Sequence, residues 1–147
     1  MAKLRSRRGR VGGTLVLDAE GLVKLATGHP VAVSLAQDTY HAQAEIVTSA
    51  PTMAEVLRGG PRDAPVHRIL SRVTVVPIGE EQGRTAGELL GRTGLSGHRC
   101  ALDALLAVVA LAQPRPVVML TSDIEDMRRL TEEPDRSKAE RIEVARI

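Results

Sequence analysis

With 147 residues, 43% of them apolar and 26% charged, the chain is long enough to bury one core and too hydrophobic for a disordered polymer. A formal charge of +2 excludes a strongly basic nucleic-acid wrapper, and a single cysteine, Cys100, excludes an intramolecular disulfide or a thiolate metal cluster. No apolar run approaches the roughly 18 to 20 residues that cross a bilayer, so a soluble, cytoplasmic protein without membrane contact is expected.

The opening MAKLRSRRGR gathers Lys3, Arg5, Arg7, Arg8 and Arg10, leaving 15 basic against 18 acidic residues in the body of the chain. Residues 1–13, ending in Gly12-Gly13, read as a disordered basic arm ahead of one domain over 14–147, with nucleic-acid contact as the arm's functional alternative. The first strand is TLVLD (Thr14 to Asp18), followed by helical spacing in EGLVKLATG and PVAVSLAQDTYHAQA. EIVTS (Glu45 to Ser49) is a weaker strand, after which Pro51 opens a helix in PTMAEVLRG that Gly59-Gly60-Pro61 stops. A helix in PVHRILSR, a strand in VTVVP (Val73 to Pro77) and helices in EEQGRTAGELLGRTG and CALDALLAVVAL come next. The strand PVVMLTS (Pro116 to Ser122), the helix IEDMRRL and an edge strand in RIEVARI complete the series. Short Val- and Ile-rich runs alternating with helices predict an α/β fold whose mostly parallel sheet of four to five strands is covered on both faces.

Four carboxylates stand out on this frame. In parallel α/β sheets ligands bind beyond the carboxyl ends of the strands, and Asp18 and Asp123 lie at two such ends, where the plainer reading of each is a helix N-cap. Asp103 interrupts the apolar run CALDALLAVVAL, and a buried carboxylate is costly unless paired, protonated or bound to a cation. Its structural alternatives are an N-cap, with HRCAL extended before it, or a pair with Arg99 one turn back. Glu55 falls near the face marked by Met53, Val56 and Leu57. Like charges brought together need a compensating cation, and an all-oxygen set suits Mg2+ or Mn2+, which points to metal-assisted phosphodiester chemistry. The four histidines, His29, His41, His67 and His98, share no metal spacing and read as surface residues, and Cys100 reads as a small buried hydrophobe.

The segments TLVLDAEGLVKL, TSAPTMAEVLRGGPR, CALDALLAVVAL and VVMLTSDIEDMRRL resemble, in order and spacing, the motifs of PIN-domain nucleases. The branch they are most similar to is that of the VapC-type toxins of type II toxin–antitoxin systems, and the resemblance runs from about Thr14 to about Leu130. It implies a three-layer α/β/α domain holding Mg2+ or Mn2+ and cleaving single-stranded regions of RNA. By position it implies Asp18, Glu55, Asp103 and Asp123 as the catalytic and metal-holding residues, with Thr121 and Asp126 in support. It further implies a homodimer neutralised by a cognate antitoxin protein.

Two departures are visible: Glu20, where many relatives carry a small or hydroxyl residue, and His98-Arg99, where an acidic residue often precedes the Asp103 position. Arg58 and Arg62, flanking GGP, and Arg99 are the candidate RNA-phosphate contacts. A haloacid-dehalogenase-like phosphatase and a phosphoacceptor receiver domain fit less well, since neither finds its lysine among Lys3, Lys24 and Lys138. The alternative of a different class is a non-catalytic PIN-like module that binds RNA or a partner.

Overall fold

The computed structural model describes residues 12–147, and the five basic residues of the expected arm, Lys3 to Arg10, lie outside them. In chain order the elements are β1 (Thr14–Leu17), α1 (Ala19–Ala26), α2 (Pro30–His41), β2 (Glu45–Ser49) and α3 (Ala50–Val56). A 3-10 turn (Pro61–Asp63), α4 (Ala64–Leu70), β3 (Thr74–Val76), α5 (Glu80–Thr93) and α6 (Gly97–Leu111) follow. The chain closes with β4 (Val117–Thr121), α7 (Ile124–Leu130) and β5 (Glu143–Arg146), so all five expected strands form.

The strands make one sheet in the order β3-β2-β1-β4-β5, and every pairing is parallel. Thr14 stands opposite Glu45 on one side and Val117 on the other, placing β1 at the centre. Alternation along each strand then builds two cores. Leu15, Leu17, Ile46, Val118 and Leu120 pack with Leu22, Leu25, Leu35 and Val66 of α1, α2 and α4. Val16, Val117 and Met119 point the other way, onto Leu89, Leu106, Ala107, Met127 and Leu130 of α5, α6 and α7. The result is a three-layer α/β/α domain, and the near-continuous apolar strands are explained because both of their faces are covered.

Three local devices matter for the site. Ser96 caps α6, accepting from the Arg99 amide at 3.4 Å, so that helix begins at Gly97, and Asp103 lies well inside it rather than at its cap. Its exposed side includes Leu102, so the helix is not apolar all round, and Asp103 is half-buried at the margin of its packed face. Finally, the long excursion between α7 and β5 is tied back by Glu133, which receives Arg115 Nη1 at 2.6 Å and Nη2 at 2.8 Å. Arg136 adds a second cation to the same carboxylate at 2.8 Å, and Arg115 also reaches the Leu111 and Glu140 carbonyls.

Candidate active site

The chain leaves β1 toward β2 and β3 and returns to place β4 on the other side of β1, so the sheet reverses direction between β1 and β4. At such a switch point the loops after the two strands part and leave a crevice at their carboxyl ends. Asp18 and Asp123 sit at those two ends. Asp18 is buried and does cap α1, its Oδ1 accepting from the Gly21 amide at 2.7 Å. Asp123 occupies the N-cap position of α7 but makes no capping hydrogen bond, which leaves its exposed carboxylate uncommitted.

Thr121, fully buried at the end of β4, joins the two strand ends. Its hydroxyl accepts from the Asp123 amide at 2.9 Å and is near enough to the Asp18 carboxyl to pull its pKa down. Burial pushes the Asp18 carboxyl above its ordinary value, while Thr121 and the Gly21 and Ser122 amides pull it back.

Asp103 reaches this edge from α6 and Glu55 from α3. The Asp103 carboxyl is pushed up to about 6, first by burial and then by the charges of Asp123, Glu55, Asp18 and Asp126. Glu55 is exposed by area, yet its carboxyl is raised by the protein crowding about it and by Asp18. Four acids from four elements thus share one electrostatic field, and Asp126 stands within it as a fifth. Asp126 is half-buried and receives the Cys100 thiol at 3.8 Å. Cys100 is buried, as its surroundings in the sequence predict.

The remaining sequence candidates are placed as follows. Arg62 is exposed on the 3-10 turn and Arg99 on the first turn of α6, and Asp103 forms no ion pair with Arg99 among the described residues. Arg58 turns back on its own helix, donating to the carbonyls of Ala54, Glu55 and Leu57 at 2.8 to 3.1 Å. Glu20 is engaged with Lys24 at 3.6 Å and is the least of the influences on Asp18. His41, His67 and His98 are exposed as expected, whereas His29 is half-buried with a buried Nδ1 that has no hydrogen-bond partner among the described residues, contrary to the surface assignment. Asp63 carries no signal in the sequence, yet it is buried and its Oδ2 accepts from the Arg58 and Gly59 amides at 2.9 and 2.7 Å.

The donor atoms at this edge are carboxylate oxygens with one hydroxyl. Among the described residues no three His, Cys, Asp or Glu side chains are gathered tightly enough to hold an ion by direct ligation. That arrangement still fits a hard cation such as Mg2+, which keeps several waters and takes only one or two carboxylates directly. Charge repulsion in the cluster is the reason a cation would be bound there. None of the predicted site residues lines the cavity of about 550 Å3 between Arg92, Arg129 and Arg136. No single helix among the described residues is long and apolar enough to cross a membrane.

The family model of the PIN domain matches residues 15–133. Curated protein sequences give no match. Among solved structures, the fold is similar to that of VapBC2 from Rickettsia felis bound to a DNA fragment from its promoter, with TM-score 0.63 and 19% identity over 91% of this chain and 98% of that one. VapBC-1 from nontypeable Haemophilus influenzae gives 0.61 and 18% over 90% and 97%. A toxin–antitoxin complex from Klebsiella pneumoniae gives 0.56 and 19% over 76% and 88%. At such identities the likeness is one of fold.

Proposed function

Because this chain belongs to the PIN domain family, we propose that it is a Mg2+- or Mn2+-dependent endoribonuclease, the toxin of a type II toxin–antitoxin pair. What carries the reading is the Asp103 carboxyl beside the switch point, pushed up to about 6 first by burial and then by the charges of Asp123, Glu55 and Asp18. These four would hold the ion, directly or through water, with Thr121 and Asp126 in support. Bound there, the ion would activate water and stabilise the leaving oxygen of a phosphodiester.

The protein's own part is to hold the oxygens in place before substrate arrives. The Gly21 amide fixes one oxygen of Asp18, the Thr121 hydroxyl holds the Asp123 amide at the start of α7, and the Cys100 thiol meets Asp126 from α6. Exposed Arg62 and Arg99 supply cations for RNA phosphates. With one aromatic residue, Tyr40, in the chain, base stacking contributes little, and phosphate contacts carry the affinity.

Partners follow from the same reading: a cognate antitoxin, as in the toxin–antitoxin complexes of similar fold, and, as the family resemblance implies, a second copy of this chain. A cytoplasmic setting belongs to the same reading and suits a chain with a single cysteine. The second reading, a PIN-like module that binds RNA or a partner without cutting, is favoured by the loosely gathered carboxylates. One experiment separates the two: incubation of the purified chain with single-stranded RNA, with Mg2+ or Mn2+ and with chelator. Metal-dependent cleavage that vanishes in Asp18→Asn and Asp103→Asn, with folding intact, supports the nuclease. Cleavage that persists in both variants removes the proposed site.

A further inference from the structure

We propose that Asp63 is a positioning residue for Glu55, acting by keeping the Arg58 guanidinium on the end of α3 and off the Glu55 carboxylate. This rests on the metal-site reading above, in which Glu55 must keep its charge available to a cation.

The geometry begins with a helix that ends at Val56 and leaves its last carbonyls without amide partners. Arg58 satisfies them: Nη1 donates to Ala54 O at 3.1 Å and Leu57 O at 2.8 Å, and Nη2 to Glu55 O at 3.1 Å. An arginine beyond a helix end commonly binds such carbonyls, but its backbone must first turn back toward them. Asp63 fixes that turn. It is buried, with 6% of its surface exposed, and its Oδ2 takes the amides of both Arg58 and Gly59. Gly59 stands at φ +84, a conformation that residues with a Cβ rarely adopt.

What this prevents is the alternative contact. Arg58 stands two residues past the end of α3, and with its guanidinium 3.1 Å from the Glu55 carbonyl oxygen the oppositely charged carboxylate of the same residue is its alternative partner. Yet among the described residues Glu55 takes part in no ion pair, because its neighbour binds its carbonyl oxygen instead of its carboxylate. Freed from the turn, the guanidinium would reach the carboxylate and compete with any metal ion for it.

The test is Mn2+ binding to the full chain, followed by calorimetric titration, with folding checked by thermal melting. Asp63→Ala should weaken Mn2+ affinity by about tenfold, the scale seen when a residue supporting a metal ligand is lost. Asp63→Asn, which keeps an oxygen for both amides, should stay near the parent. Adding Arg58→Ala to Asp63→Ala should restore affinity, a rescue that a merely structural role for Asp63 cannot give. Arg58→Lys, with Asp63 intact, should also weaken binding, since an ammonium cannot span three carbonyls and is free to pair with Glu55; this arm remains decisive if Asp63→Ala does not fold. Unchanged affinity in Asp63→Ala or Arg58→Lys, or a double variant no better than Asp63→Ala, overturns the proposal. A parent chain that binds no Mn2+, or binds it equally well as Asp103→Asn, overturns the metal-site reading itself and this inference with it.

Discussion

The Gly21 amide donates to Asp18 Oδ1 at 2.7 Å, and the same glycine sits so close to β4 that a Cβ on it would meet the Leu120 carbonyl at 2.9 Å. The absence of a side chain therefore lets α1 start directly against the sheet with Asp18 aimed over its end. In Gly21→Ala that backbone contact must open, because a carbonyl cannot swing aside as a flexible side chain would. The expected cost is about 1 to 3 kcal/mol, the usual range for overpacking a core, and it should appear as a lower urea midpoint with an unchanged slope. Since the same Cβ would lie 3.3 Å from Oδ1, Mn2+ affinity should fall as well.

Thr121→Val tests the hydroxyl that joins the two strand ends. Valine keeps the shape but leaves the Asp123 amide without its acceptor, at a cost of about 1 to 3 kcal/mol for an unsatisfied polar group. The Asp18 carboxyl, which the hydroxyl pulls down, should titrate higher in the variant by carbon-13 NMR. Thr121→Ser should behave as the parent in both measurements.

The raised Asp103 carboxyl makes a signed prediction for pH. Its ordinary value is 3.8 and its folded value about 6, so it favours the fold below 3.8, and that contribution is lost as pH rises through about 6. Asp103→Asn removes the loss. In metal-free protein the urea midpoint of the variant should therefore gain on that of the parent between about pH 4 and about pH 7.5. Saturating Mn2+ should narrow the difference by stabilising the parent alone; a gap independent of both pH and metal would count against a shared carboxylate field.

Glu133 gives the opposite sign. Burial alone would raise its carboxyl, but Arg115 and Arg136 hold it below the ordinary range, so its contribution is present at neutral pH and lost as pH falls. Glu133→Gln would leave the half-buried Arg115 without its main counter-charge. Removing one partner of such a pair costs about 3 kcal/mol, and amide exchange should quicken first in β5, which the excursion delivers to the sheet edge.

Most of the frame was legible in the sequence because it depends on local patterns. TLVLD, EIVTS, VTVVP and PVVMLTS are apolar along both faces, and the structure covers both. The cap at Asp18 was equally readable from a polar residue placed between a strand and a helix. Asp103 left its alternatives open, since whether HRCAL is helical turns on Ser96, a modest cap one turn earlier. Asp63 and Glu133 were invisible for another reason. Their partners, Arg58 and Arg115, come within reach only once the turn and the C-terminal excursion have folded, and no periodicity marks them. The same holds for the carbonyl partners of Arg58, which no periodicity marks either.

Parallel pairing of β1 with β4 has a consequence for biosynthesis. A chain emerging from the ribosome carries Asp18, Glu55 and Asp103 well before Val117–Thr121 exists to lie beside Thr14–Leu17. Until that last inner strand docks, Thr121 and Asp123 are missing, and the carboxyl end of β1 has no wall on its second side. A product terminated before Asp123 would therefore lack the assembled carboxylate edge, which comes into being only once β4 and the start of α7 have been made.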